Sequence, residues 1–165
     1  MSRMRDVSGA GARRAGHRSG TDEQVTTNTR EAARAWVAGW SDAWRRGDGD
    51  AVGRLYAPDA RFRSHPMRAA GTGPAAAVQY ARGVFAAEKL VQLWFGEPIV
   101  DGDWAAVEYW SVSLDRDGAE VSLAGCGVLR FGPDGLCVDD IEYWCEQPGR
   151  HEPPERWGGL VGGRG

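Results

Sequence analysis

The alternation of apolar and polar residues is mainly helical, near 3.6, up to about residue 90, with one strand-like stretch within it, and switches to a period of 2 from Val91 onward. In TNTREAARAWVAGWSDAWRRGDGD a Thr/Asn cap near Thr26 opens a helix in which Trp36, Trp40 and Trp44 recur at i, i+4 and i+8. The three indoles therefore share one face. Gly47 ends this helix, and GDAVGRLYAPDA predicts a short second one with Val52, Leu55 and Tyr56 on one side, stopped by Pro58. ARFRSHP reads as a strand. GTGPAAAVQYARGVFAAEKL reads as a third helix, with Thr72 as cap and Pro74 in the first turn. VQLWFGEPIV, WAAVEYWSVSL, AEVSLAGCGVLRF and LCVDDIEYWCE then read as strands, separated by Asp101-Gly102-Asp103, Asp117-Gly118 and Pro133-Asp134-Gly135, which are hairpin-type turn sequences. Helices followed by consecutive antiparallel strands predict an α+β domain, a curved antiparallel sheet with three N-terminal helices packed on one side.

Composition narrows what such a domain does. With 165 residues the chain has room for one domain with a real core. Its 8 Trp point to an aromatic interior or a contact surface. Arg3, Arg5, Arg13, Arg14 and Arg18 face only Asp6 in the first twenty residues, so the remainder is acidic. A phosphate-binding face needs clustered Lys and Arg, and nucleic acid is therefore not an expected partner. Residues 1–25 read as a disordered Arg/Gly-rich tail, 26–147 as the domain, and 148–165 as a Pro/Gly-rich tail that hugs the surface through Trp157. The head has no apolar h-region and no run is long enough to span a bilayer, so no membrane association and a cytoplasmic location are expected. Cys126, Cys137 and Cys145 lack metal-type spacing and read as reduced packing residues; neither a metal nor a cofactor is implied.

The order helix, helix, strand, helix and four antiparallel strands, with GDGDAVGRLYAPDARF early and LRFGPDGLCVDDIEYW late, resembles the nuclear transport factor 2 superfamily in its SnoaL-like branch. The resemblance runs from about Thr26 to Trp144. It implies a cone-shaped fold with a pocket between the concave sheet face and the first helices, and homodimers through the outer face. Strand phase set on that resemblance turns Val138, Asp140, Glu142 and Trp144 inward, and Asp139, Ile141, Tyr143 and Cys145 outward. It also turns inward Glu108, Trp110, Val112 and Leu114, then Leu123, Gly125, Gly127 and Leu129, and finally Gln92 and Trp94. A register slip of one would reverse any of these faces.

Family chemistry carries over poorly. The steroid isomerases' phenol falls on Trp40, their protonated acid on Gly127, and their base on Ser64, or on His65 with a slip of one. Epoxide-hydrolase members use two carboxylates with an Arg between them; here Arg130 has outward phase, while Glu108 and Asp140 keep two acids toward one cavity. The SnoaL-type cyclases' acid matches Asp140, and the His of the strand before is missing at Gly125 and Gly127.

What remains is a set of acids among indoles. Loss of hydration favours the neutral carboxyl, and a second carboxylate pushes one member further up. Asp140, Glu142 and Glu108 are thus candidates for a base that removes a proton beside a carbonyl and an acid that donates to the enolate. His65 is a candidate proton shuttle; parity sends it outward with Arg61 and Arg63, Pro66 breaks the pairing, and both directions stay open. Trp40, Tyr56, Phe62, Ser64, Gln92, Trp94, Trp110, Gly127 and Trp144 are the expected pocket lining. The expected function is binding of a small hydrophobic or aromatic molecule, with acid/base turnover of the isomerase, cyclase or dehydratase kind. The competing reading is a non-catalytic carrier or a dimeric interaction module of the same fold. The sequence leaves open which of these holds.

Overall fold

The computed structural model describes residues 20–155 and 157. The expected head, apart from its last residues, and the end of the expected C-terminal tail lie outside them. Helix α1 (Gly20–Arg46) starts before the Thr26 cap and carries the indole stripe. Asp48 caps α2 (Gly49–Val52), its side chain accepting from Ala51 N at 3.1 Å, and a 3-10 turn (Gly53–Leu55) follows. Strand β1 (Tyr56–Arg63) therefore opens at Tyr56, which the sequence pattern had assigned to a helix. The two-residue strand β2 (Gly71–Thr72) pairs back on β1. Helix α3 (Pro74–Ala87) is capped by Gly73 at φ 74°, a backbone state open to Gly, rather than by Thr72.

The predicted strand VQLWFGEPIV is two strands, β3 (Lys89–Phe95) and β4 (Ile99–Asp101), separated where Pro98 withdraws a donor. Both run antiparallel to β5 (Trp104–Leu114), and β6 (Glu120–Phe131) and β7 (Cys137–Pro148) complete the meander. The curved sheet has the order β2-β1-β7-β6-β5-β3, with β4 beside β5 on the β3 edge. It is antiparallel except for one pair: β1 lies parallel to β7, with Phe62 opposite Asp140. The α+β class and the cone-like arrangement expected from the sequence hold, with this parallel pair as the addition.

Helix α1 lies across the sheet and is pinned at the β3–β4 break, where Arg34 pairs with Glu97 and Arg30 donates to the Pro98 carbonyl at 3.3 Å. Between helices and sheet sit Ala33, Trp36, Trp40, Ala43, Val52, Tyr56, Phe62, Val107 and Leu129, all buried. Ala at 33 and 43 lets the helix approach closely, and its indoles fill what remains. On the opposite sheet face the chain end folds back as a strap. Gly149 O and His151 N both bond Ser122 Oγ at 2.8 Å, Trp110 Nε1 donates to His151 O at 2.6 Å, and Trp157 meets Trp110 edge to face. The expected surface contact through Trp157 is present.

Candidate functional site

Residues paired directly across an antiparallel ladder point to the same side, so the register decides which side chains meet the helices. In β7, alternation brings Asp140 and Glu142 inward; Asp140 has 0 % and Glu142 7 % of its surface exposed. Gly127 pairs with Glu142, and a Cβ there would lie 2.9 Å from Glu142 Oε1. The missing side chain is what gives the carboxylate its space.

The register overturns the expected phase of β5 and β3. Tyr109 pairs with Gly125, and Val107 with Gly127, so Val107, Tyr109 and Ser111 share the inner face. Glu108 consequently points outward and is exposed, and Trp110 lies under the strap. Val112 and Leu114 share that outer phase. Because Phe95 pairs with Tyr109 and Trp94 with Trp110, Trp94 and Gln92 also face outward, Gln92 accepting a hydrogen bond from Arg150. Glu108, Trp110, Gln92 and Trp94 are thus removed from the pocket by a single shift of pairing.

A cavity of about 40 Å³ lies between α1, α3 and the sheet. Trp36, Trp40 and Trp44 line it from α1, Tyr80, Val84 and Phe85 from α3, and Phe62, Phe95, Tyr109, Leu123 and Glu142 from the strands. The rings meet at inclined angles, 51° for Trp36 with Trp40, 35° for Trp44 with Phe85, 47° for Phe62 with Tyr80 and 56° for Phe95 with Tyr109, so they form walls rather than a stack. Volume of this order holds a few waters. Trp40 and Phe62 were foreseen as lining, and the stripe carries Trp36 and Trp44 with it.

Behind the cavity wall runs a buried polar chain. Tyr56 Oη donates to Asp140 Oδ2 at 2.5 Å and accepts from Trp40 Nε1 at 3.1 Å and Trp36 Nε1 at 3.3 Å. The two indole donors use the phenol's lone pairs, which fixes its proton on the side of Asp140. Asp140 lies within hydrogen-bond reach of Glu142, and Tyr109 donates to Glu142. Burial is the main force raising the pKa of Asp140, followed by the charge of Glu142, with the Tyr56 bond opposing both. Burial also raises Glu142, opposed by its bonds to Tyr109 and Asp140. Asp140 Oδ1 and Glu142 Oε2 have no donor when both acids are ionised. Two buried carboxyls that must share a contact favour retention of a proton between them. The phenols of Tyr56 and Tyr109 are held neutral, first by burial and then by the acids beside them.

The other candidates sit at the margin. His65 packs its ring against Trp144 at 5.3 Å, and its Nδ1 accepts from Met67 N. Trp144 is half-buried and donates to Ser64 O at 2.7 Å, while Ser64 Oγ accepts from Arg68. None of the three reaches the cavity wall, because β1 ends at Arg63 and the chain turns away. Tyr56 lies behind the cavity and acts on it through Asp140. The member sequence reasoning missed is Tyr109. The signal for it was the glycine pair of β6: Gly125 needs a bulky neighbour on its own face, and a Cβ at Gly125 would come within 2.5 Å of the Tyr109 ring.

The family model of the SnoaL-like domain matches residues 36–139. No curated protein matches the sequence. Among solved structures, the chain is similar to a hypothetical protein of ketosteroid isomerase-like fold from Catenulispora acidiphila in complex with trimethylamine, at 22% identity and TM-score 0.58 over 66% of this chain and 83% of that one. An LEH-like epoxide hydrolase of M. tuberculosis is similar at 18% identity and TM-score 0.56, over 73% and 84% of the two chains. A steroid delta-isomerase from Pseudomonas aeruginosa is similar at 24% identity and TM-score 0.52, over 69% and 80%. At these identities the likeness establishes the fold.

Proposed function

The chain belongs to the SnoaL-like domain family, and from that premise we propose that its aromatic cavity binds a small, largely apolar molecule on which the Glu142–Asp140 pair moves a proton. The observation that carries this reading is Glu142. Its side chain lines the cavity, and a second buried acid, Asp140, stands within hydrogen-bond reach of it. Ionised Glu142 removes a proton from a carbon beside a carbonyl; the electron pair of the broken C–H bond becomes the enolate, and the proton stays on the carboxyl pair until it is returned. Return to a different atom is isomerisation, and return to a departing hydroxyl is dehydration. Tyr56 contributes by holding Asp140 in place, and Tyr109 by orienting Glu142.

The test is proton exchange. Small ketones and aldehydes incubated with the full chain in D₂O are followed by ¹H NMR for loss of the signal beside the carbonyl. Exchange faster than in buffer that disappears in Glu142→Gln supports the proposal; exchange equal to buffer for every compound, or unchanged in Glu142→Gln, refutes it. A second reading, a non-catalytic carrier or a dimeric interaction module, is favoured by the closeness of the walls, since about 40 Å³ admits no ring-sized ligand without side-chain movement. In the module form, the second copy would sit on the outer face, where Tyr143 remains 46% exposed. Binding of a ligand without exchange selects the carrier, and a concentration-dependent dimer in sedimentation without any ligand selects the module.

A further inference from the structure

The chain has 4 tyrosines, and three of them are committed elsewhere. Tyr56 donates to Asp140, Tyr109 donates to Glu142, and Tyr143 lies on the outer face. The fourth, Tyr80, enters the cavity wall from α3. There the fully buried Ala77 and Ala81 let the helix approach the sheet, and the Tyr80 ring leans on Phe62 with centroids 5.4 Å apart. The Tyr80 hydroxyl makes no hydrogen bond among the described residues, and, unlike Trp44 Nε1 in the same wall, its oxygen is open to a water-sized molecule. Burial, then the charges of Glu142 and Glu88, raise its pKa, so the phenol keeps its proton.

We infer that Tyr80 is a catalytic residue: its hydroxyl donates to the carbonyl oxygen of the ligand and to the oxyanion formed from it. The inference rests on the proton-transfer reading of the cavity given above and adds the group that receives the oxygen. When the C–H bond breaks, its proton goes to Glu142, its electron pair becomes the new C=C bond, and the carbonyl π pair moves onto oxygen. In an apolar void that negative oxygen needs a donor already in place. Every other donor in the wall is engaged or closed. Trp36 and Trp40 give their N–H groups to Tyr56, Tyr109 gives its hydroxyl to Glu142, and Trp44 Nε1 is sealed by packing. Tyr80 remains, lining the same void as the base. Its raised pKa means that it donates a hydrogen bond and keeps its proton throughout. The arrangement selects enolisable aldehydes and ketones over hydrocarbons of the same shape, because only an acceptor oxygen uses the free hydroxyl.

The experiment compares the full chain with Tyr80→Phe, which keeps the ring against Phe62 and removes only the hydroxyl. Exchange of acetone and acetaldehyde in D₂O is followed at ligand concentrations where the wild-type rate approaches its maximum. Loss of one donor to a developing oxyanion is expected to lower that maximal rate by about 100-fold. Acetone labelled with ¹³C at the carbonyl reports the contact directly. Its carbonyl signal, extrapolated to full occupancy, is expected to stay near its position in water for wild type, because the phenol replaces the water lost on entry. In Tyr80→Phe it is expected to move upfield, toward its position in hydrocarbon solvent. Wild-type exchange that disappears in Glu142→Gln but is unchanged in Tyr80→Phe overturns the inference and leaves the proton-transfer reading standing. An upfield carbonyl already in the wild type does the same, and decides the matter even where Tyr80→Phe does not fold. Wild-type exchange equal to buffer removes both.

Discussion

Replacing Asp140 by Asn is expected to stabilise the protein increasingly as pH rises, while abolishing any proton transfer. Asp140 is fully buried, and its Oδ2 accepts the Tyr56 hydroxyl at 2.5 Å. An Asn keeps that acceptor, fills the same volume and turns its amide toward Glu142, but it cannot ionise. The native pKa of Asp140 lies above its ordinary 3.8, chiefly through burial and then through the charge of Glu142. For an acid shifted in this direction the folded chain holds a proton that the unfolded chain has released. Its contribution to stability is therefore complete below the unfolded value and is lost as pH rises through the folded one. Across that window one proton corresponds to about 1.4 kcal/mol per pH unit. A domain of this size shifts by about 2–4 °C per kcal/mol, so the slope is roughly 3–6 °C per pH unit. Melting curves of wild type and Asp140→Asn, followed by circular dichroism between about pH 4 and pH 8, isolate this term. Surface carboxylates are common to both proteins and cancel in the difference. The gap in Tm is expected to open from just above the unfolded value in favour of Asn. A gap independent of pH, or one that widens in favour of Asp, would refute the assignment of Asp140 as an acid held protonated by its surroundings.

The remaining expectations follow from the same geometry. Tyr56→Phe deletes the acceptor of two buried indole N–H groups and the donor to Asp140, and urea denaturation is expected to show a loss of about 2–4 kcal/mol, with part of the orphaned cost relieved by the long Trp36 contact. Gly125→Ala drives a methyl into the Tyr109 ring and Trp144 Cβ, whereas Gly127→Ala meets the movable end of Glu142. The first is expected to destabilise by more than the second on urea titration, and the second to remove ligand binding while the protein still folds. Glu108→Gln is expected to leave ligand binding and proton exchange unchanged, because its side chain is on the outer face; a loss of either would falsify the register.

How much of this was legible in the sequence depends on which distances the signal must span. The indole stripe of α1 and the inward phase of β7 are local patterns, periods of 3.6 and 2 within one element, and both were read correctly. The phase of β5 depends instead on the connection to β6. Read as a two-residue hairpin, Asp117-Gly118 places Trp110 opposite Gly125. The actual connection is longer: Leu114 pairs with Glu120, and Asp115 Oδ1 closes the loop by accepting from Asp117 N and Ala119 N. That shift exchanges Trp110 for Tyr109 on the inner face and carries β3 with it, so Glu108, Gln92 and Trp94 leave the cavity together. Tyr56 was expected in the pocket lining, but on a helix, and its partner Asp140 was not foreseen. Its spacing from Val52 and Leu55 fits a helix, but the 3-10 turn at Gly53–Leu55 ends the helical phase and delivers the phenol to β1, beside β7.

The consequence bears on the chemistry. Two acids at i and i+2 on an inward strand face specify where carboxylates will stand, yet their protonation is decided by neighbours that come from elsewhere in the chain. Tyr56 reaches Asp140 across 84 residues of sequence, and Tyr109 reaches Glu142 only because the β5–β6 register is what it is. Had Trp110 taken the inner position, its indole N–H could have served Glu142 as a donor, but the Trp110 ring would have met the cavity in place of a phenol. The outer Glu108 would then have joined the acid pair as a third carboxyl. A third buried carboxyl would add desolvation and like-charge repulsion, and the observed register keeps Glu108 on the outer face and the buried pair at two.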